Sequence, residues 1–267
     1  MKFLSVKFII IIILILLILL IAVYLSKKNF LENFTNEQVD IVISRYMEDL
    51  KWLDNDNFRN YRIIIYNKGS NDDFYKPPNS VIIKLPNYGR ESHTYLFHII
   101  NNYENLSDLT VFLPGSSDYV NKYNKIEDKY NKTMNLIKTI KNIKSSCYIC
   151  TKQSEEEIEK IYNFTIDNYN STNESNKKAS ITKIDKSDIR PYGKWYEKHI
   201  GNDRYKECIT YKSIFSVTKE DITQFPLSYY ENLFNEVDKK ENPETGHYFE
   251  RSWFGIFNPK DPVLLFD

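Results

Sequence analysis

The sequence predicts an N-terminal transmembrane helix followed by one three-layer α/β domain with a mainly parallel sheet. Three observations carry this reading. Phe8 to Leu25 is a charge-free run, FIIIIILILLILLIAVYL, and a hydrocarbon core is spanned by about 20 apolar residues. Between residues 39 and 113, short apolar runs rich in Ile and Val alternate with helix-period segments in the order β-α-β-β-α-β, the pattern of a parallel sheet joined by helical crossovers. The 267-residue chain leaves about 240 residues beyond the anchor, enough for one sizeable core.

The expected organisation is a short tail (1–7), a signal anchor (8–25), a polar stalk (26–38) and a domain (39–260) with an insertion at about 120–200. The apolar run exceeds the roughly 7–15 residues of a cleaved signal core, and Val23-Tyr24-Leu25-Ser26-Lys27-Lys28 offers no small-x-small cleavage site. The membrane is therefore the first expected partner, through a single pass. Lys2 and Lys7 precede the span, and Lys27 and Lys28 follow it with Glu32 nearby. This near balance leans towards an inside N-terminus and a lumenal or extracytoplasmic domain. Sequons at Asn33, Asn105, Asn131, Asn163, Asn170 and Asn173 suit that side.

Lys plus Arg equal Asp plus Glu at 36 each. No basic run interleaved with aromatics appears, so the electrostatic argument for a nucleic-acid partner is missing. The skew towards Ile, Asn, Lys and Tyr, with only 7 Gly, follows AT-rich coding and inflates chance motifs. Cys147-Tyr-Ile-Cys150 has CxxC spacing, but no second CxxC or HxxxH supplies the remaining ligands of a zinc site. In an extracytoplasmic domain a Cys150–Cys208 or Cys147–Cys208 disulfide is expected.

Val39–Tyr46 reads as a first buried strand and Met47–Leu53 as a short helix. Tyr61–Gly69 is a second strand, Val81–Leu85 a third, Glu91–Tyr103 a helix and Leu109–Leu113 a fourth strand. Residues 120–180 are dominated by Lys, Asn, Ser and Glu. Tyr211–Val217 then reads as a strand, Glu220–Val237 as a helix and His247–Phe257 as a final aromatic helix.

Three polar segments stand out. Arg45 and Asp49 follow the first strand, where ligands bind in open α/β sheets; a surface turn is the plain alternative. Asn87-Tyr88-Gly89-Arg90-Glu91-Ser92-His93 opens a helix. There Arg90 and the helix start suit a phosphate, Glu91 a base, and Asn87 and His93 substrate contacts. His93 and His98 miss the i, i+4 spacing of a metal pair, and His93 packing on the core is the competing reading. In Gly246-His247-Tyr248-Phe249-Glu250-Arg251-Ser252-Trp253, Glu250 and Arg251 sit in an aromatic run, either as a structural ion pair or with Glu250 as a cleft carboxylate of raised pKa. Asp54-Asn55-Asp56 precedes a strand instead of following one, and Pro114-Gly115-Ser116-Ser117-Asp118 supplies Asp118 alone as a metal ligand.

Together these stretches resemble the DUF3431 family. The resemblance rests on Val42–Leu53, Ile65–Gly69, Leu85–Leu96 through Asn102-Tyr103, Val111–Leu113, and Phe215–Val217 through His247–Trp253. That family is similar to GT-A glycosyltransferases. The resemblance implies a tethered enzyme acting on a nucleotide sugar, with Arg45 and Arg90 on phosphates, Glu91 or Glu250 as base, and Asp49, Asn87, His93 and Arg251 contacting substrate. Mn²⁺ or Mg²⁺ would be the cation, with Asp118 as ligand. A membrane or virion protein that keeps the fold without the site is the alternative, and paired carboxylates Glu91 and Glu250 would suit a hydrolase.

Overall fold

The computed structural model describes residues 38–118, 129–167, 183–201 and 208–266. The expected anchor (8–25) and stalk up to residue 37 lie outside the described residues. Among the described residues, no helix is long and apolar enough to cross a membrane.

Strand β1 (Val39–Arg45) shows why a parallel sheet forms. Ile41 and Ile43 face one apolar cluster and Val42 faces another, and all three are fully buried. A strand covered on both faces reads as continuous hydrophobic sequence, as does β2 (Arg62–Asn67), where Ile63 and Ile65 join the first cluster and Ile64 and Tyr66 the second. Strand β3 (Ser80–Lys84) pairs parallel with β2, and β4 (Leu109–Pro114) parallel with β1. Helix α1 (Arg90–Asn102) crosses between β3 and β4. It buries Tyr95, Leu96 and Ile99 at helical spacing.

The rest of the sheet is less regular. Beyond β4 lie β6 (Phe215–Thr218), then β5 (Cys147–Cys150), then β7 (Val263–Phe266), giving the order β3-β2-β1-β4-β6-β5-β7. Strand β6 runs antiparallel to both neighbours, and β7 is parallel to β5. Helices α2 (Lys129–Asn142), α3 (Glu155–Tyr162), α4 (Tyr192–His199), α5 (Lys219–Thr223), α6 (Leu227–Asn235) and α7 (Glu244–Phe257) complete this mixed α/β domain. The apolar side of α2 joins the β1 Ile41/Ile43 cluster, while α1, α4, α6 and α7 pack on the other face.

Several elements differ from the sequence reading. Met47–Leu53 forms a turn with one 3-10 segment, Lys51–Leu53, not a helix. The Glu48 carboxylate accepts from the N–H groups of Tyr46 (2.7 Å) and Met47 (3.1 Å), and Arg45 Nε donates to Glu48 O (2.8 Å). The Arg45 bond takes the Glu48 carbonyl that a helix over 47–53 would use. The helix expected over 220–237 is two helices, α5 and α6. Pro226 has no N–H to donate, and a residue before proline is pushed out of the helical region. The stretch expected as an insertion supplies α2, α3, α4 and strand β5, which sits inside the sheet.

Cys150 and Cys208 form a disulfide and Cys147 stays free and buried, which selects one of the two expected pairings. The bond ties the end of β5 to the approach to β6, where Thr151 N donates to Ile209 O at 3.0 Å. It closes a sequence separation of 58 residues, worth about 4 kcal/mol in the chain-entropy model.

Candidate functional site

From β1 the chain moves outward to β2 and β3, and from β4 it moves the other way to β5, so the strand order reverses between β1 and β4. Such a switch point opens a crevice beyond the carboxyl ends of the strands. A cleft lies there, lined by Ser44 and Arg45 from β1, Lys68 after β2, and Pro114, Gly115 and Ser116 from β4. Asn87, Arg90 and Glu91 reach it from the start of α1, Glu250 from α7, and Tyr211, Lys212 and Asn242 from the flanking loops.

The start of α1 has an unusual backbone. Gly89 and Arg90 are both left-handed, with φ of 57° and 53°. Glycine takes this region freely, whereas a side chain there costs about 1–2 kcal/mol. A Cβ on Gly89 would come within 2.7 Å of Val237 and 2.8 Å of the His93 Cβ, so glycine is required on both counts. Gly89 N donates to Lys240 O at 2.7 Å. From the opposite side the Lys68 ammonium donates to Tyr88 O (2.5 Å) and to Arg90 O.

Arg90 lies among acidic partners. Its guanidinium is 3.0 Å from His247 Nε2, 3.6 Å from the Glu250 carboxylate and 4.0 Å from that of Glu91. His247 Nδ1 is 3.6 Å from the other Glu250 oxygen. Burial pushes the Glu250 carboxyl upward, but Arg90, the hydrogen bond and charge of His247, and Arg251 outweigh it and hold the group well below the usual carboxylate range. Of the two readings of Glu250, the raised pKa is reversed, because the guanidinium groups of Arg90 and Arg251 lie beside it. Lys68 is brought down to about 7 by burial, with Glu91 opposing and Arg90 adding to the fall. Burial raises Glu48, and the N–H groups of Tyr46 and Met47 offset only part of the shift.

Arg45 reaches the same cleft in a different state. It is 1% exposed. Its guanidinium donates to Glu48 O (2.8 Å), Asn67 Oδ1 (2.6 Å), Asn71 O (3.1 Å) and Asn71 Oδ1 (2.6 Å), and stacks on the Phe74 ring at 4.0 Å. Four of its five N–H groups are thus engaged in holding the turns after β1 and β2.

The remaining expected residues fall outside the cleft. Asp49 is exposed and its carboxylate accepts from Lys51 N at 3.0 Å, closing a turn. His93 points into an apolar pocket behind α1 with Leu85, Phe97 and Phe234, its Nε2 3.5 Å from Asp238. Burial, then the Lys68 charge, lowers it to about 4 against the pull of Asp238, so it is neutral at pH 7. Arg251 donates to His247 O (2.6 Å) and stacks on Phe164 (3.8 Å) and Tyr211 (5.0 Å), so it braces α7. Asp118 is exposed and does not line the cleft. In the Asp54-Asn55-Asp56 segment, Asp54 accepts from the Tyr75 hydroxyl (3.1 Å) and Asp56 pairs with Arg59 (2.8 Å). No group of three His, Cys, Asp or Glu side chains able to hold a metal occurs among the described residues, so the expected Mn²⁺ or Mg²⁺ finds no donor set there.

Sequence reasoning assigned no role to Lys68 or Glu48, both of which line the cleft. Lys68 sits in an ordinary Asn-Lys-Gly turn and Glu48 in a polar stretch, and nothing local marks either as buried. A family model described as "Protein of unknown function (DUF3431)" matches residues 41–264. No curated protein matches the chain.

Proposed function

The chain belongs to the DUF3431 family, and from that premise we propose that it is a membrane-tethered, GT-A-like glycosyltransferase acting on a nucleotide sugar. The observation that carries the reading is the cleft where the sheet order reverses between β1 and β4, with Arg90 and the start of α1 on its wall. Switch points of open α/β sheets are where nucleotides bind, and a guanidinium beside a helix start suits phosphate. The Cys150–Cys208 disulfide supports a lumenal or extracytoplasmic domain, since such bonds persist in oxidising compartments. The apolar run 8–25 supports the tether.

Arg90 meets the donor's phosphates. Glu91 is the better base, because a carboxylate held as low as Glu250 accepts a proton poorly. An acceptor hydroxyl oxygen bonds to the anomeric carbon and gives its proton to Glu91. The bond from that carbon to the phosphate oxygen breaks, and the nucleotide leaves with the electron pair. Glu250 anchors Arg90. The test is calorimetric binding of a nucleotide-sugar panel to the full chain in detergent, with and without Mn²⁺, followed by turnover with the donor that binds. Glu91→Gln should abolish turnover with binding retained, and Glu250→Gln should raise KM more than it lowers kcat. A folded chain that binds no member of the panel sinks the reading.

The alternative is a fold kept without chemistry. It draws support from the engaged state of the carboxylates, and from the lack of a metal donor set among the described residues.

A further inference from the structure

We propose that Lys68 is a positioning residue, holding the left-handed Gly89–Arg90 turn from beneath so that the Arg90 guanidinium is presented to phosphate in the cleft. The inference rests on the reading of the cleft as a phosphate site.

Three observations converge. The first is that Lys68 is 7% exposed although it carries an ammonium. Burying a cation costs more than burying an apolar side chain of equal length, so packing alone does not account for a lysine here. Its Nζ donates to Tyr88 O and to Arg90 O, the carbonyls that bracket Gly89. These bonds fix both sides of the turn. Finally, Arg90 is a non-glycine residue at φ 53°. Such strain persists only where the surroundings over-determine it, and it collects at functional sites.

Lys68 also joins the turn to the rest of the cleft. Its backbone N donates to Arg45 O at 2.9 Å, so the same residue touches the carboxyl end of β1 and the start of α1. On the far side Gly89 N is fixed by Lys240 O at 2.7 Å. The turn is thus held between the sheet and the loop before α7, and Glu250 and His247 on α7 complete the seat of the guanidinium.

The test is a double-mutant cycle on the full chain in detergent micelles. The probes are inorganic pyrophosphate and uridine diphosphate, measured by calorimetry. Arg90→Gln and Lys68→Met should each weaken pyrophosphate roughly 10- to 100-fold, the range for one charged hydrogen bond. The double variant should be no weaker than Arg90→Gln, because Lys68 acts through Arg90. Lys68→Arg should recover most of the affinity. Unchanged binding in Lys68→Met overturns the inference, and so do losses that multiply in the double variant. Where Lys68→Met does not fold, Lys68→Gln takes its place in the cycle with the same outcomes. If neither probe binds the wild-type chain, the phosphate reading fails by itself, and the backbone carbon shifts of Arg90 decide the matter. They move from left-handed values towards ordinary ones in Lys68→Gln if Lys68 holds the turn. They stay in place if it does not.

Discussion

Arg45 and Arg90 stand at two rims of one cleft, and their surroundings separate them. Arg45 follows β1 and is closed in by Asn67, Asn71, Glu48 O and the Phe74 ring. Arg90 opens α1, and its close partners Glu250, Glu91 and His247 are ionisable side chains that line or adjoin the cleft. Amide and carbonyl partners fix a guanidinium in place and leave few donors for a ligand. Carboxylate partners orient it and can be exchanged for phosphate oxygens. The same residue type thus serves folding at one rim and, in the proposed reading, recognition at the other.

The largest test of this contrast is Arg45→Ala. It strips the side-chain oxygens of buried Asn67 and half-buried Asn71 of the Arg45 donor and opens the turn after β1. A loss of about 3–5 kcal/mol is expected in urea unfolding, the range for breaking a buried charged network. A loss below about 1 kcal/mol would place Arg45 with the surface arginines. Gly89→Ala comes next, at about 2–3 kcal/mol, since the new Cβ meets Val237 at 2.7 Å in a left-handed residue. An unchanged midpoint would mean that the turn relaxes.

Per unit of pH, the pH dependence of stability is intermediate in size. Lys68 has a folded pKa of about 7 against an unfolded value of 10.5. Between these values the unfolded chain holds the extra proton, so stability should rise with pH from about 7 towards 10, by at most about 1.4 kcal/mol per unit. Below about 7 both states are protonated and this contribution is flat. Unfolding curves of Lys68→Met should lose the slope, and an identical slope would assign it to another group. Among the substitutions the smallest effect is that of Arg90→Gly. Glycine relieves the strain at φ 53° while the part-buried ion pairs to Glu250 and Glu91 are lost, so the two effects offset and stability should fall by about 1–2 kcal/mol. Pyrophosphate binding should nonetheless fall. A large destabilisation would make Arg90 a folding residue like Arg45 and erase the contrast.

The first half of the sheet was legible because both of its faces are covered. Val39–Arg45, Arg62–Asn67 and Leu109–Pro114 each appear as an apolar run bounded by polar or turn residues, with α1 between the last two strands at clear helical spacing. Arg90, Glu91 and Glu250, which line the cleft, stood out for a related reason, as charged residues next to glycine or inside an aromatic run. The second half was obscure. Strand β5 is only Cys147–Cys150 and β7 only Val263–Phe266, too short for periodicity to register, and both follow stretches whose composition reads as solvated.

What the sequence determined by itself is therefore the local grammar: the parallel strands β1, β2 and β4 and the helix α1. These depend on spacing and on single-residue chemistry. Tertiary structure alone decided that Cys150 and not Cys147 pairs with Cys208, that Asp49 and His93 turn away while Lys68 turns in, and that the Glu250 carboxyl falls instead of rising. Each of these outcomes depends on which residues distant in sequence become neighbours. A side chain's charge, exposure and pKa are set by those neighbours and not by its own segment.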